Sequence, residues 1–459
     1  MMSLQEAAGV VNGALFGKDI SFSSISTDSR TAGKGQLFVA LRGESFDGHE
    51  FVNTARTRGA VAALVSLGSV IREIEGKDFP LIVVKDTRFA LGQLAAYWRG
   101  KFTLPVIAVT GSNGKTTTKE MIASILRVIY DGDVLATEGN LNNEIGLPLT
   151  LLGLNERHRA VVVEMGMSRP GEILALAEIA QPTVAIVTNA QRAHLEGMES
   201  LEAVAAEKGS VYSGMRKSGV AVINADDQYH ELWLEQSAGR RIVRFSFEQA
   251  VEVVGFHAAR APGNTLGIRS GNERIEVKLM TPGKHNAYNA LAAAAATLAA
   301  GADLSVVRDG LMAFRGVRRR LQQRNALKGA TLFDDTYNAN PDSVRAGIDV
   351  LAAESGKKVL VLGDMGETGK MAPQFHEEIG IYAKNKGVDV LLTLGDWCAT
   401  AARVFGEGGQ HFEKDNLLID ALKMELASQT LVLVKGSRFM RMERIADAIA
   451  VPDAVPGEK

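Results

Sequence analysis

Apolar residues in this chain cluster into short unbroken runs, and stretches with helical spacing separate them. In the middle third the runs lie at 104–110, 160–164, 183–188 and 219–224. Runs apolar at every position suit strands buried on both faces, and the helical stretches between them predict a parallel sheet covered on both sides. From Arg240 to Met280 the pattern becomes an alternation, which predicts a small antiparallel addition with a hairpin turning at Ser270-Gly-Asn-Glu273. Beyond Arg320 a second strand–helix pattern begins, with strands expected at 331–333, 358–362, 388–393 and 431–434. Gly363, Gly395 and Gly436 stand at three of their ends, where open α/β sheets place ligands. The front segment is shorter, with strands expected at 36–41 and 81–84 and helical character near 53–59. A helix expected over 87–99 leads out of it. These shifts divide the chain into segments 1–86, 87–320 and 321–459.

Composition narrows the class. A chain of 459 residues exceeds one core and suggests about three domains. A net charge of −2 gives no reason to expect nucleic acid as a partner. One cysteine, Cys398, excludes an internal disulfide framework and fits a reducing compartment. The N-terminus lacks the pattern of a signal peptide, and the longest nonpolar stretch, 290–300, is alanine-rich and far short of the ~20 residues that span a bilayer. It reads as a tightly packed interior helix. The expectation is a cytoplasmic monomer without membrane insertion.

The chemistry begins at Thr110-Gly-Ser-Asn-Gly-Lys-Thr-Thr117. An apolar strand ends in a glycine-rich turn, and Met121, Ile122, Ile125 and Ile129 then repeat at helical spacing. Backbone N–H groups of such a turn and the start of the following helix cradle a polyphosphate. Gly111, Ser112, Asn113, Gly114, Lys115, Thr116 and Thr117 form the expected nucleotide loop. Lys115 would neutralise the β/γ oxygens, and the Thr116 hydroxyl would ligate Mg²⁺. The expected fold is thus α/β with three domains. A small mixed N-terminal domain comes first. A central P-loop parallel-sheet ATPase domain with a small antiparallel addition follows, then a C-terminal Rossmann-like domain. No Gly-x-Gly-x-x-Gly follows a strand, which argues against a dinucleotide fold.

Further residues carry two readings each. Glu164 ends an apolar strand and either holds Mg²⁺ beside the loop or is a strand-terminal carboxylate in solvent. His194, in a loop after another strand, is a metal ligand or a hydrogen-bonded structural histidine; because Mg²⁺ prefers oxygen, a histidine ligand would point to Mn²⁺ tolerance. Lys208 lies on an alanine-flanked helix capped by Ser200. Shielded there it loses its proton more easily and can take up CO₂ as a metal-binding carbamate; the alternative is a solvated lysine. Arg315, Arg318, Arg319, Arg320 and Arg324 crowd the second junction, as a solvated face or as the source of an arginine that neutralises a transferring phosphoryl group. Asp334-Asp-Thr-Tyr-Asn-Ala-Asn-Pro341 and Lys435-Gly-Ser-Arg438 follow strands of one sheet, as turn chemistry or as two loops around a ligand.

Together these motifs resemble the Mur ligases, ATP-dependent amide-forming enzymes of peptidoglycan precursor synthesis, over nearly the entire chain. Besides the phosphate loop, Gly139-Asn-Leu-Asn-Asn-Glu-Ile-Gly146 is similar to the family's substrate loop, Gly283-Lys-His-Asn-Ala-Tyr-Asn289 to its adenine motif, and Thr27-Asp-Ser-Arg30 to its UDP-sugar element. The loops at 335–342, 362–369 and 435–443 resemble those of the members that add D-alanyl-D-alanine. The resemblance implies ATP and one or two Mg²⁺ ions as cofactors, with UDP-N-acetylmuramoyl-tripeptide and D-alanyl-D-alanine as substrates, joined through an acyl phosphate. It implies metal ligation by Thr116, Glu164, His194 and carbamylated Lys208, and nucleotide contacts from Asn286, Asp335 and Asn338. Substrate contacts are implied for Ser29, Arg30, Asn142, Asn143, Lys435, Ser437 and Arg438. The family usually carries Gly-Arg at its second hinge; here the pair is Arg319-Arg320, and the phosphate-sensing role falls on Arg320 by its place before Leu321. His376 also matches a family position. Two readings compete: a folylpolyglutamate-synthase-like ligase, which the UDP-type front segment disfavours, and a P-loop switch or ATPase module.

Overall fold

The computed structural model describes residues 1–67, 79–257 and 264–452. Three large sheets organise the described residues, beside a two-stranded pairing of Met2–Ser3 with Ser21–Phe22. In the first, Ser24–Ser26, Gln36–Val39, Ala62–Ser66 and Leu81–Val84 run parallel, and Ala14–Phe16 closes the edge antiparallel. The helix Thr87–Gly100 follows, its N-terminus capped by the Asp86 carboxylate, which accepts the N–H groups of Arg88 and Phe89.

The central sheet has nine strands. Val106–Thr110 lies between Ala160–Glu164 and Val184–Val187, and the chain crosses from one side of it to the other. That reversal opens a crevice at the carboxyl ends of these strands, and the phosphate loop fills its floor. Alternate residues of Val106–Thr110 feed two cores: Val106 and Ala108 pack with one helical layer, Ile107 and Val109 with the other. The second layer contains Lys115–Ile129 and the helix Lys284–Ala299, whose run of alanines is buried throughout, as expected for an interior helix.

The 240–280 region departs from expectation in one respect. Arg241–Ser246 and Val253–His257 extend the central sheet in parallel; only Asn264–Ser270 and Glu273–Leu279 are antiparallel, joined by the expected two-residue turn at Gly271 and Asn272. The alternation of Arg241–Ser246 records a half-covered face and says nothing about strand direction.

The third sheet orders Gln322–Asn325, Thr331–Asp335, Thr430–Lys435, Lys357–Gly363, Val390–Leu394 and Gly409–Phe412; all pairs are parallel except the first. Asp335 pairs in register with Lys435, and Lys435 with Leu362, so three loops leave the same edge side by side. Among the described residues, no helix is long and apolar enough to cross a membrane.

Candidate active site

The phosphate loop has two glycines that no other residue could replace at these backbone angles. Gly111 has φ +146°, and a Cβ there would lie 1.9 Å from Thr188 Oγ1; Gly114 has φ +81°, and a Cβ would lie 2.1 Å from Asn289 Oδ1. The turn these angles permit leads into Lys115–Ile129. Among the described residues, Lys115 Nζ bonds to the carbonyl oxygens of Gly111 and Ser112 alone, at 2.8 and 3.3 Å. Burial pushes the pKa of its ammonium down.

Register explains the next contact. Glu164 pairs with Val109, so both strands end at the same edge, and the Thr116 hydroxyl donates to Glu164 Oε2 at 2.7 Å. Asn142 donates to the other carboxylate oxygen at 2.8 Å. Glu164 is buried, so the solvated reading does not hold. Arg320 Nη2 donates to Thr116 Oγ1 at 2.9 Å, while its guanidinium lies over the Tyr337 ring at 4.1 Å. Arg319 points elsewhere, to Glu443 and Asp447. Arg319 has φ +60° and Leu321 φ +50°, so Arg320 is flanked by two left-handed residues, and glycine would suit the first.

Lys208 lies on Leu201–Gly214, which Ser200 caps as expected. The lysine is fully buried, and its Nζ has no hydrogen-bond partner. Burial first, and the neighbouring Lys115 charge second, hold its pKa well below the usual lysine value. The Nε of Arg320 is likewise buried and unpaired. Arg320 is otherwise held by Thr116 and the Tyr337 ring, and it adjoins Lys115, so the complement of these two cations is an anion. His194, with φ +59°, places Nδ1 2.7 Å from Glu367 Oε2 of the third sheet's loop.

A cavity of about 780 Å³ opens over these groups, and all three sheet domains contribute to its walls. Glu44 and Arg88 stand at one end, Asn142 and Asn143 beside Glu164, Asn286 and Tyr288 further along, and Asp335, Asn338 and Lys435 on the third domain. Lys435 Nζ meets Asp335 Oδ2 at 2.6 Å and the Asn338 carbonyl at 3.0 Å, which joins the two loops read from the sequence. Asn286 donates to the Pro282 carbonyl and accepts from Asn289.

Several expected residues do not line this cavity: Gly111, Lys208, Ser29, Arg30, Ser437 and Arg438. Gly111 shapes the loop from beneath. Arg30 is exposed and folds back on Asp28, while Ser29 is buried beside it. The Ser437 hydroxyl is engaged on both sides, donating to Ala339 O and accepting the Gly366 N–H. The hydroxyl thereby braces one loop against the other. Arg438 is exposed and pairs with Glu443.

One bridge between domains escaped the sequence reading, and residues it did name gain further contacts. Arg192 bridges the central and third domains, forking onto Asp342 and onto Glu378. Asn113 of the phosphate loop exchanges amide hydrogen bonds with Asn340, which caps Pro341–Ala353 through a capping box. His376 gains a role: its Nδ1–H donates to Ala372 O, and Nε2 accepts the Met365 N–H. With both nitrogens used, the buried group Asp364, His376 and Cys398 does not suit a metal, although their ligand atoms lie close. Asp364 instead accepts the N–H groups of Trp397 and Cys398.

The chain was compared with known proteins. It matches three family descriptions: Mur ligase family, catalytic domain, over 21–99; Mur ligase middle domain, over 109–297; and Mur ligase, glutamate ligase domain, over 319–438. It is 39% identical to the UDP-N-acetylmuramoyl-tripeptide–D-alanyl-D-alanine ligase of Escherichia coli strain K12, over 98% of each chain. Among solved structures it is similar to MurF from Acinetobacter baumannii, with TM-score 0.88, 34% identity, and 97% and 98% of the two chains covered. It is also similar to MurF ligase from Thermotoga maritima in complex with ADP, with TM-score 0.80, 27% identity, and 93% and 96% covered. The chain therefore belongs to the Mur ligase family.

Proposed function

We propose that the chain joins D-alanyl-D-alanine to the terminal carboxylate of UDP-N-acetylmuramoyl-tripeptide, using ATP, in peptidoglycan precursor synthesis. The meeting of Lys115 and Arg320 at the phosphate loop, with Arg320 held to the Thr116 hydroxyl, carries the reading within the site. Two cations brought together there call for an anionic reactant. The named relatives supply the substrates.

A free carboxylate is a poor acyl donor, so activation comes first. A carboxylate oxygen attacks the γ-phosphorus, and the bond to the β–γ bridging oxygen breaks, releasing ADP. The amine of the dipeptide then attacks the acyl phosphate carbon. The C–O bond breaks, inorganic phosphate leaves, and the amine's surplus proton is lost to solvent. Lys115 and Arg320 offset charge where phosphate and carboxylate meet. The N–H groups of residues 111–116 orient the triphosphate. Seating of the third domain shields the acyl phosphate from water. The use of ATP and a UDP-linked peptide supports a cytoplasmic reaction, carried out by the chain as a monomer.

The donor set fits Mg²⁺. Thr116 and Glu164 bring two hard oxygens together. The unpaired, desolvated Lys208 amine suits conversion to a carbamate: its lone pair bonds to the carbon of CO₂ and one N–H proton departs. The carbamate and His194 would hold a second ion. Bound there, Mg²⁺ would neutralise the two anions that must meet.

The test is ADP release measured with and without each substrate. Turnover should require both the UDP-muramyl-tripeptide and the dipeptide. Lys115→Ala should abolish ADP release, and Lys208→Ala should lose most of it, with partial recovery on adding a short carboxylate. Undiminished turnover by Lys208→Ala would end the carbamate assignment. ADP release indifferent to the dipeptide would end the ligase assignment.

A further inference from the structure

The loop Gly363–Thr368 of the third domain is held at several points and is left without a task by the mechanism above. His376 accepts the Met365 N–H at 3.0 Å, Ser437 accepts the Gly366 N–H at 2.6 Å, and the Thr368 hydroxyl donates to Met365 O at 3.2 Å. All this bracing presents one side chain, Glu367, to the central domain. Its Oε2 lies 2.7 Å from His194 Nδ1, and its carbonyl accepts the Glu196 N–H at 3.3 Å.

Both partners sit in strained backbone. Glu367 has φ +57° and His194 φ +59°, and neither is glycine. Non-glycine residues are uncommon in this region, and such strain gathers where surrounding structure enforces a functional geometry. Two of them meet here across a domain boundary. Nδ1 of His194 is buried 2.7 Å from Glu367 Oε2, within pairing distance but off the line of a hydrogen bond in this arrangement, while the ring itself lines the cavity, so Nε2 is the nitrogen left to face the reactants. A carboxylate on one imidazole nitrogen fixes the proton there, and the other nitrogen then presents its lone pair, the arrangement by which metal-bound histidines are oriented.

We propose that Glu367 is a positioning residue for the second cation. By holding Nδ1–H of His194 it directs Nε2 at the ion, so the cation site is completed only when the third domain is seated. This rests on the reading of His194 as a ligand given above. It adds that the ligand's orientation is supplied from another domain, which ties metal loading to closure. Asp335 and Asp342, also on the third domain's side of the cavity, are held by Lys435 and Arg192, leaving Glu367 to serve the imidazole.

Mn²⁺ binding, followed by electron paramagnetic resonance on the full chain with a non-hydrolysable ATP analogue and UDP-muramyl-tripeptide, tests this. The unaltered chain should bind two ions, and His194→Ala should retain one. Glu367→Ala should weaken the second ion about 10- to 100-fold, the usual cost of losing such a supporting partner. Glu367→Gln, whose amide oxygen can still accept from Nδ1–H, should fall between. The first ion and the nucleotide should bind all variants equally, which also reports intact folding. If Glu367→Ala keeps the second ion within twofold while His194→Ala loses it, the positioning role is wrong and the ligand reading stands. If His194→Ala keeps both ions, or the unaltered chain binds only one, the ligand reading falls and the positioning role with it.

Discussion

Arg192→Ala should loosen the third domain from the central one. Arg192 Nε and Nη2 reach Asp342 at 3.1 and 2.6 Å, and Nη1 and Nη2 reach Glu378 at 2.7 and 3.0 Å. The three side chains are 22–30% exposed, so the pairs are shielded without being desolvated outright. Charge-assisted bonds of this kind contribute about 1.5 kcal/mol per carboxylate, or about 3 kcal/mol for the fork. Part returns on opening: Glu378 keeps Arg345, Asp342 loses only its link to Arg192, and both regain water. A net loss of about 2 kcal/mol shifts the closed–open balance about 30-fold toward open. Small-angle scattering should show a larger radius of gyration at rest, and kcat/KM should fall by a similar factor while ADP affinity at the phosphate loop changes little. An unchanged radius together with kcat/KM within twofold would refute the argument that this fork holds the domains together. A double-mutant cycle with Glu378→Gln should return a coupling near 1.5 kcal/mol.

Acid should open the same latch. Hydrogen bonding from Arg192 holds the Glu378 carboxyl below its ordinary value of 4.5. A depressed carboxylate contributes fully above that ordinary value, and the contribution fades as pH falls through the lowered one. Scattering should therefore match between pH 7 and 5 and expand only below about 4; expansion already at pH 6 would contradict this. Gly114→Ala should reduce ADP affinity at least about 100-fold, since a Cβ at φ +81° would strike Asn289; calorimetry showing unaltered affinity would remove that constraint. Asn340→Ala removes a helix cap and should lower unfolding stability by about 1 kcal/mol in urea denaturation. Cys398 is buried, and desolvation raises its thiol pKa, so thiol reagents should label it only after unfolding; rapid labelling of the native chain would count against its burial.

Much of the fold was readable because burial wrote it into the sequence. Leu81–Val84 and Ala160–Glu164 are apolar at nearly every position, and the structure gives both with the expected bounds. Strands without that signature escaped. Ala62–Ser66 is interior except at Ser66 but opens with two alanines, Gln322–Asn325 is a polar edge, and Val134–Ala136 is three residues long. At the site, the phosphate loop was legible because its glycines, lysine and threonine act within one turn of chain. Burial of Glu164 and Lys208 was not, since each depends on what other elements lay over it. The contacts of Arg192 with Glu378 and of His194 with Glu367 join residues of different domains, and no local spacing announces such a meeting.

The left-handed residues on either side of Arg320 have a temporal consequence. With the peptide turned the unusual way just before and just after it, the guanidinium is aimed by the main chain as much as by its contacts with Thr116 and Tyr337. On the proposed function, an outward swing of the third domain would draw that side chain away from Thr116 and the phosphate loop. An ajar enzyme would then lack the charge needed for the transfer and would be slow to waste ATP.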